Sequence, residues 1–254
     1  MQQRLRRVKC GVSWAHVTLA HVIEPLPVVL IPGLLDSARL YAPQIPSLWQ
    51  RGAVMVADHT RDDSMAAIAA RILANAPQTF ALAGLSMGGY IAFEIVRQAP
   101  RRVAKLALLD TSARADTSEQ SDARRAQIAL AAQGGFAEVL QAALPRLLQR
   151  ARREDAALRH LLEQMAQEVG VAAFIRQQTA NIARCDSRAT LGDIRCPTLV
   201  LVGEDDELTP PERAAEMADA IAGACLVTVK QCGHMSTLEQ PEEVTRALLE
   251  WLRA

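Results

Sequence analysis

The segment Gly84-Leu85-Ser86-Met87-Gly88-Gly89 puts a hydroxyl between an apolar, strand-like run and a helix-like one. At such a turn a serine is held in a strained conformation that presents its oxygen at the sheet edge, and the glycines two residues before and after it leave room for the bend. A glycine-rich strand-to-helix turn can also be purely structural or cradle a phosphate, but the Gly-x4-Gly-Lys-Ser/Thr type is excluded because no lysine follows the glycines. Serine is a poor nucleophile until a base takes its proton, and that base needs an acid to orient it. Of the five histidines, His234 in Cys232-Gly233-His234-Met235 stands just past the last strand-like run and before the terminal helix, at the sheet edge expected for Ser86. His59, at the end of the second strand, is the substitute. His160 lies in a helical stripe, and His16 and His21 precede the first strand.

The acid is expected at a third strand end. Val202 to Pro210 carries Glu204, Asp205, Asp206 and Glu207 directly after an apolar run. Four packed carboxylates would repel one another, so most must be solvated loop charges or first-turn helix acids. Asp206 is the choice, with Asp205 its close competitor. Asp110 is a third candidate, although Asp110-Thr111-Ser112 also reads as a turn or cap.

These residues need a scaffold that brings three loops together. Val28-Val29-Leu30-Ile31, stopped by Pro32-Gly33, has the continuous apolar character of a parallel strand covered on both faces. Ala53–Ala57, Phe80–Leu85, Val103–Leu109, Pro197–Val202 and Leu226–Val229 repeat that pattern. Between them, Met65, Ile68, Ala69, Ile72 and Leu73 fall at helical spacing behind Ser64 as N-cap, and Met87 to Gln98 reads as a helix ending before Pro100. Pro241, Glu242 and Glu243 open a terminal helix with Val244, Ala247, Leu248, Trp251 and Leu252 on one face. Alternating strands and helices imply a mostly parallel open sheet with helices on both faces.

From about Ala113 to Ala189 the strand signals stop. The segment reads as helices separated by Gly134-Gly135, Pro145 and Gly170, with one stripe at Leu158, Leu161, Leu162, Met165 and Val169 and another at Phe174, Ile175 and Ile182. It leaves from a strand's carboxyl end, where open sheets bind ligands, so a lid is expected. The expected organisation is a basic leader over 1–20 containing Arg4, Arg6, Arg7 and Lys9, a core over 21–112 and 191–254, and a helical cap over 113–190.

The 254 residues suit one large domain with an insertion, long enough to need no disulfide or metal staple. Equal totals of 28 basic and 28 acidic residues argue against nucleic acid or an anionic membrane as the main partner. Four Phe and three Trp leave little for base stacking. Five scattered cysteines do not form a disulfide or zinc framework, and no apolar run has signal-peptide or membrane-spanning length. A cytoplasmic protein acting on a small molecule is expected, with no metal.

The order Ser86, Asp206, His234 is that of the α/β-hydrolase triad rather than the chymotrypsin or subtilisin types. From Pro27 onward the chain resembles an α/β-hydrolase, on the strength of Pro32-Gly33-Leu34, the Ser86 elbow, Gly203-Glu204-Asp205-Asp206 with Thr209-Pro210, and Gly233-His234 followed by Leu238-Glu239-Gln240-Pro241. The family's acid stands three residues after the glycine and four before the proline, which selects Asp206. The resemblance implies that the backbone N–H groups of Leu34 and Met87 form the oxyanion hole, although many relatives carry His-Gly where this chain has Pro32-Gly33. It implies acyl transfer from a small ester or lactone through an acyl-serine, without a cofactor. Ser86 disfavours the haloalkane dehalogenases and epoxide hydrolases, which attack with aspartate. Cofactor-free perhydrolases and acyltransferases share the same triad, and some members of the fold keep the pocket for ligand capture alone.

Overall fold

The computed structural model describes residues 26–254; the leader at 1–20, Cys10, His16 and His21 lie outside them. Six strands form one sheet: β1 (Val28–Ile31), β2 (Val54–Val56), β3 (Phe80–Leu85), β4 (Val103–Leu109), β5 (Thr198–Gly203) and β6 (Cys225–Val229). Their order is β2-β1-β3-β4-β5-β6, and every pairing is parallel. Parallel neighbours require crossovers, which run through the helices α1 (Ile45–Trp49), α2 (Met65–Asn75) and α3 (Met87–Gln98), then α4 (Ser118–Ala132), α5 (Phe136–Leu147) and α6 (Ala156–Ile182), then α7 (Pro211–Ala220), followed by α8 (Ser236–Glu239) and α9 (Pro241–Arg253).

The apolar runs of β1, β3, β4 and β5 follow from burial on both faces, whereas the edge strands β2 and β6, expected to be covered likewise, are only partly buried and mostly exposed respectively. Val29, Ile31, Leu82, Leu106, Leu108, Val200 and Val202 face one core, which α2, α3 and α7 cover through Ile68, Ile72, Ile91, Ile95 and Met217. The alternate residues Val28, Leu30, Ala81, Ala83, Leu85, Ala107, Leu109, Leu199 and Leu201 face the other core, covered by Leu48 of α1 and by Val244, Leu248 and Trp251 of α9. Ser64 caps α2 as its spacing predicts, its hydroxyl accepting from Ala67 N at 3.3 Å.

Between β4 and β5 the described chain is helical or irregular, with no strand. Gly134 separates α4 from α5 in a left-handed conformation at φ 96°. Pro145 does not separate helices as expected. It lies inside the last turn of α5, which runs two residues past it to Leu147 although the ring gives up one backbone hydrogen bond to the preceding turn. Gly170 breaks α6 at φ 79° and ψ 164°, so that the two predicted stripes belong to two halves of one element. Leu158, Leu162 and Met165 of the first half join the core that holds Met235 and Leu238, whereas Phe174 of the second half packs with Ala131, Val139, Leu34 and Leu35. Arg184, just past α6, pairs with Asp116 at 2.6 Å and lies 4.2 Å over the Tyr90 ring of α3, which ties the insertion to the sheet layer. No helix among the described residues is long and apolar enough to cross a membrane.

The chain runs from β1 to β2 on one side and returns to β3 on the other, so the loops after β1 and β3 diverge at a topological switch point. Ligands bind at such a crevice in open parallel sheets.

Candidate active site

Ser86 is the single residue between β3 and α3 and sits at φ 54° and ψ −116°. Such a conformation costs a non-glycine residue about 1–3 kcal/mol and persists only where its surroundings over-determine it. Here Ser86 N donates to Leu109 O at 2.9 Å, while Ser86 O accepts from Gly89 N at 2.9 Å and from Thr111 Oγ1 at 2.7 Å. The flanking glycines have a steric reason. A β-carbon at Gly84 would collide with Gly88 O, and one at Gly88 with Ile31 O.

His234 follows β6, and its backbone N–H donates to Leu147 O at 3.1 Å. Its Nε2 lies 2.9 Å from Ser86 Oγ, and its Nδ1 lies 2.8 Å from Asp206 Oδ2. With a carboxylate at Nδ1, the neutral form of the ring carries its proton there and leaves Nε2 to accept from the serine hydroxyl. Asp206 is buried beyond β5. Its Oδ1 accepts from Leu208 N at 2.8 Å and Thr209 N at 3.0 Å, and its Oδ2 accepts from Thr209 Oγ1 at 2.7 Å. Burial opposes its charge, but the His234 ring and these donors hold its carboxyl below the ordinary range. Burial likewise disfavours a charged His234, yet the Asp206 carboxylate, with Asp110 and Asp36 behind it, raises the ring to about 9.

The other two acids fall elsewhere. Asp205 is exposed and meets the His234 loop only through its backbone, donating from N to Cys232 O at 2.9 Å. Asp110 is fully buried at φ 44°, with Oδ1 accepting from Gly203 N at 2.9 Å and Oδ2 bonded to Ser236 Oγ. It therefore ties the end of β4 to the end of β5 and to α8, and burial and the neighbouring Asp206 push its pKa up to about 8. His59 does not pair with Ser86: its Nε2 meets Gly33 O at 2.8 Å.

Leu34 and Met87 flank this arrangement. Met87 opens α3, where the first N–H groups have no partner within the helix and carry its positive end. Gly33 lies against the elbow, since a β-carbon on it would stand 3.4 Å from Ser86 Cβ. Neither Leu34 N nor Met87 N donates to an acceptor among the described residues.

Three further residues serve the site that the sequence reading did not assign to it. Glu239 Oε1 accepts from Gly233 N at 3.0 Å and Met235 N at 3.2 Å, bracketing His234, while its Oε2 accepts from Gln149 N at 2.7 Å. Gln177 of α6 accepts from Leu35 N at 3.2 Å across 142 positions of chain. Asp36 is buried beside Gly33, and burial raises its carboxyl to about 7 despite the attraction of His234. Only Glu239 stood within a recognisable segment, Leu238 to Pro241.

A family model described as the alpha/beta hydrolase family matches residues 11–247. The chain belongs to that family. It is 30% identical over 240 residues to a protein of Azorhizobium caulinodans that bears the name "Putative carbamate hydrolase RutD", covering 88% of this chain and 89% of that one. It is 30% identical to the pimeloyl-[acyl-carrier protein] methyl ester esterase of Aromatoleum aromaticum, over 68% of this chain and 73% of the relative. Among solved structures, a thermophilic esterase from Thermogutta terrifontis superimposes with a TM-score of 0.83 at 30% identity, covering 91% of this chain and 90% of the other. The enol-lactonase from Burkholderia xenovorans has a TM-score of 0.82 at 22% identity, over 91% and 92% of the two chains, and shares the fold. The chain is a hydrolase of this fold.

Proposed function

We propose that this hydrolase cleaves a small ester or lactone through an acyl-serine intermediate. The observation that carries the reading is the continuous hydrogen-bond chain from Ser86 Oγ through His234 to Asp206, with links of 2.9 and 2.8 Å. In this reading Ser86 Oγ attacks the substrate carbonyl as its proton passes to His234 Nε2. Asp206 steadies the imidazolium and holds the ring in the productive tautomer. The tetrahedral oxyanion is held by Leu34 N–H and Met87 N–H. His234 then gives its proton to the leaving oxygen, and a water deprotonated by the same nitrogen releases the acid and restores Ser86.

Residues 113–190 are read as a cap whose apolar underside covers the acyl group. Support comes from Phe136 and Phe174, with ring centroids 5.6 Å apart, and from the packing of Leu34 and Leu35 against the buried cluster of Ala131, Val139 and Phe174. Aliphatic and aromatic contacts of this kind suit a small apolar acyl group.

The test is hydrolysis of short-chain p-nitrophenyl esters, with an aryl carbamate in the same panel because one relative is named for carbamates. Wild-type turnover of an ester, abolished by Ser86→Ala, is expected. Folded wild-type protein inactive on every ester and lactone tried would overturn the reading, and turnover of the carbamate alone would replace its substrate.

A further inference from the structure

The peptide that joins Gly33 to Leu34 is gripped at its carbonyl end. His59, buried beyond β2, approaches Gly33 O with Nε2 at 2.8 Å, and Asp36 N closes a turn onto the same oxygen at 3.2 Å. A carbonyl oxygen only accepts, so the facing ring nitrogen carries the proton. Burial lowers the ring's pKa, which keeps it neutral, with the single proton at the nitrogen that the carbonyl uses. The C=O and N–H of a trans peptide lie in one plane and point in opposite directions. Holding Gly33 O toward His59 therefore fixes the direction of Leu34 N–H on the opposite side.

The next residue is under strain. Leu35 has φ 63°, a left-handed value that disfavours a side chain. Its N–H is taken by Gln177 Oε1 at 3.2 Å, from a side chain with no solvent exposure. Pro32, on the other side of Gly33, offers neither an N–H nor a polar side chain to stabilise the loop. Two side chains from outside the loop, His59 and Gln177, thus add to the turn that Asp36 N closes.

We propose that His59 and Gln177 are positioning residues for the oxyanion hole: His59 orients the Gly33–Leu34 peptide so that Leu34 N–H faces the reacting carbonyl, and Gln177 pins the strained turn from the insertion. The inference rests on the reading of Ser86 as nucleophile and of Leu34 as an oxyanion donor. It makes the insertion part of the catalytic geometry, because displacing α6 releases Leu35. A donor aimed at the tetrahedral oxygen acts in the transition state, so its loss lowers kcat and leaves KM nearly unchanged.

The experiment compares wild type with His59→Leu, His59→Gln and Gln177→Leu. It measures kcat and KM on a p-nitrophenyl ester, the rate at which a fluorophosphonate labels Ser86, and thermal unfolding to establish that each variant is folded. Phosphonylation needs the same oxyanion donors but no ester turnover. His59→Leu is expected to lower kcat and the labelling rate about 10- to 100-fold with KM within about threefold, a loss bounded by that of a whole oxyanion donor. His59→Gln restores a side-chain N–H at about the reach of Nε2 and should recover most of the rate. Gln177→Leu should lower both rates in the same direction. A folded His59→Leu with wild-type kcat and labelling overturns the inference, as does a loss confined to KM or a His59→Gln as impaired as His59→Leu. Should His59→Leu fail to fold, unchanged labelling of Gln177→Leu overturns it. Wild-type protein that neither turns over ester nor is labelled at Ser86 overturns the functional reading and the inference together, whereas an active wild type with insensitive variants overturns the inference alone.

Discussion

Three carboxyls surround His234, and only one of them touches it. Asp206 meets Nδ1 at 2.8 Å, while Asp110 and Asp36 act on the ring through space. Asp206→Asn should therefore lower kcat about 10⁴-fold, because the amide presents the wrong group to Nδ1 and favours the wrong tautomer. Asp205→Asn should leave kcat within about twofold, since substitutions of exposed side chains have small effects. Steady-state kinetics of the two variants checks the assignment, and the reverse order of effects would contradict it. A second expectation concerns pH. His234 serves as a base only when neutral, and its surroundings raise it from 6.5 to about 9. kcat/KM, which reports the free enzyme, should thus rise with pH from neutrality into the alkaline range, with a midpoint well above 6.5. A plateau already reached at pH 6.5 would mean that these carboxylates do not act on the ring. Ser86 and His234 were legible in the sequence because each stands at an unmistakable strand end. Asp206 needed the spacing of Gly203 and Pro210, since composition alone does not separate it from Asp205.

At the scale of elements, buried parallel strands announce themselves. Val28–Ile31, Phe80–Leu85 and Val103–Leu109 are read from the sequence with the bounds that the fold has, because both faces are covered and polar residues are scarce, Lys105 near the start of β4 being partly exposed. Short or marginal helices are less visible. α1 spans only Ile45–Trp49, too few residues to show a period, and Pro145 reads as a helix boundary although α5 continues past it to Leu147. Contacts between elements are invisible to local pattern, as the bond from Leu35 to Gln177 illustrates. Asp110 is the clearest element-scale device. It joins β4 to Gly203 of β5 and to Ser236 of α8. Asp110→Ala should destabilise the fold by about 1–3 kcal/mol by leaving Gly203 N–H buried and unpaired. Asp110→Asn keeps an oxygen for Gly203 and an N–H for Ser236, and should cost clearly less. Urea unfolding of both variants tests this, and equal losses would show that the hydrogen bonds are not the cause.

For the molecule as a whole, the parallel order β2-β1-β3-β4-β5-β6 does the positioning. It sets the ends of β1, β3, β5 and β6 along one edge, so that Leu34, Ser86, Asp206 and His234 meet although the last two lie far along the chain from the first two. The insertion completes the arrangement: one half of α6 packs beside the His234 loop through Met165, and the other reaches Leu35 through Gln177. The strand-end motifs, not the balanced charge, point to a hydrolase of this fold, while in the proposed reading the choice of substrate falls to side chains that the insertion brings to the site and that no local motif encodes. The central claim is that Ser86 Oγ forms a covalent acyl intermediate. Rapid acid quenching of the protein during turnover of a p-nitrophenyl ester, followed by peptide mass mapping, tests it most directly. The account predicts one acyl group on the peptide containing Ser86 and none on the Ser86→Ala protein; turnover with the acyl group on another residue, or with no acyl-protein in any quenched sample, would contradict it.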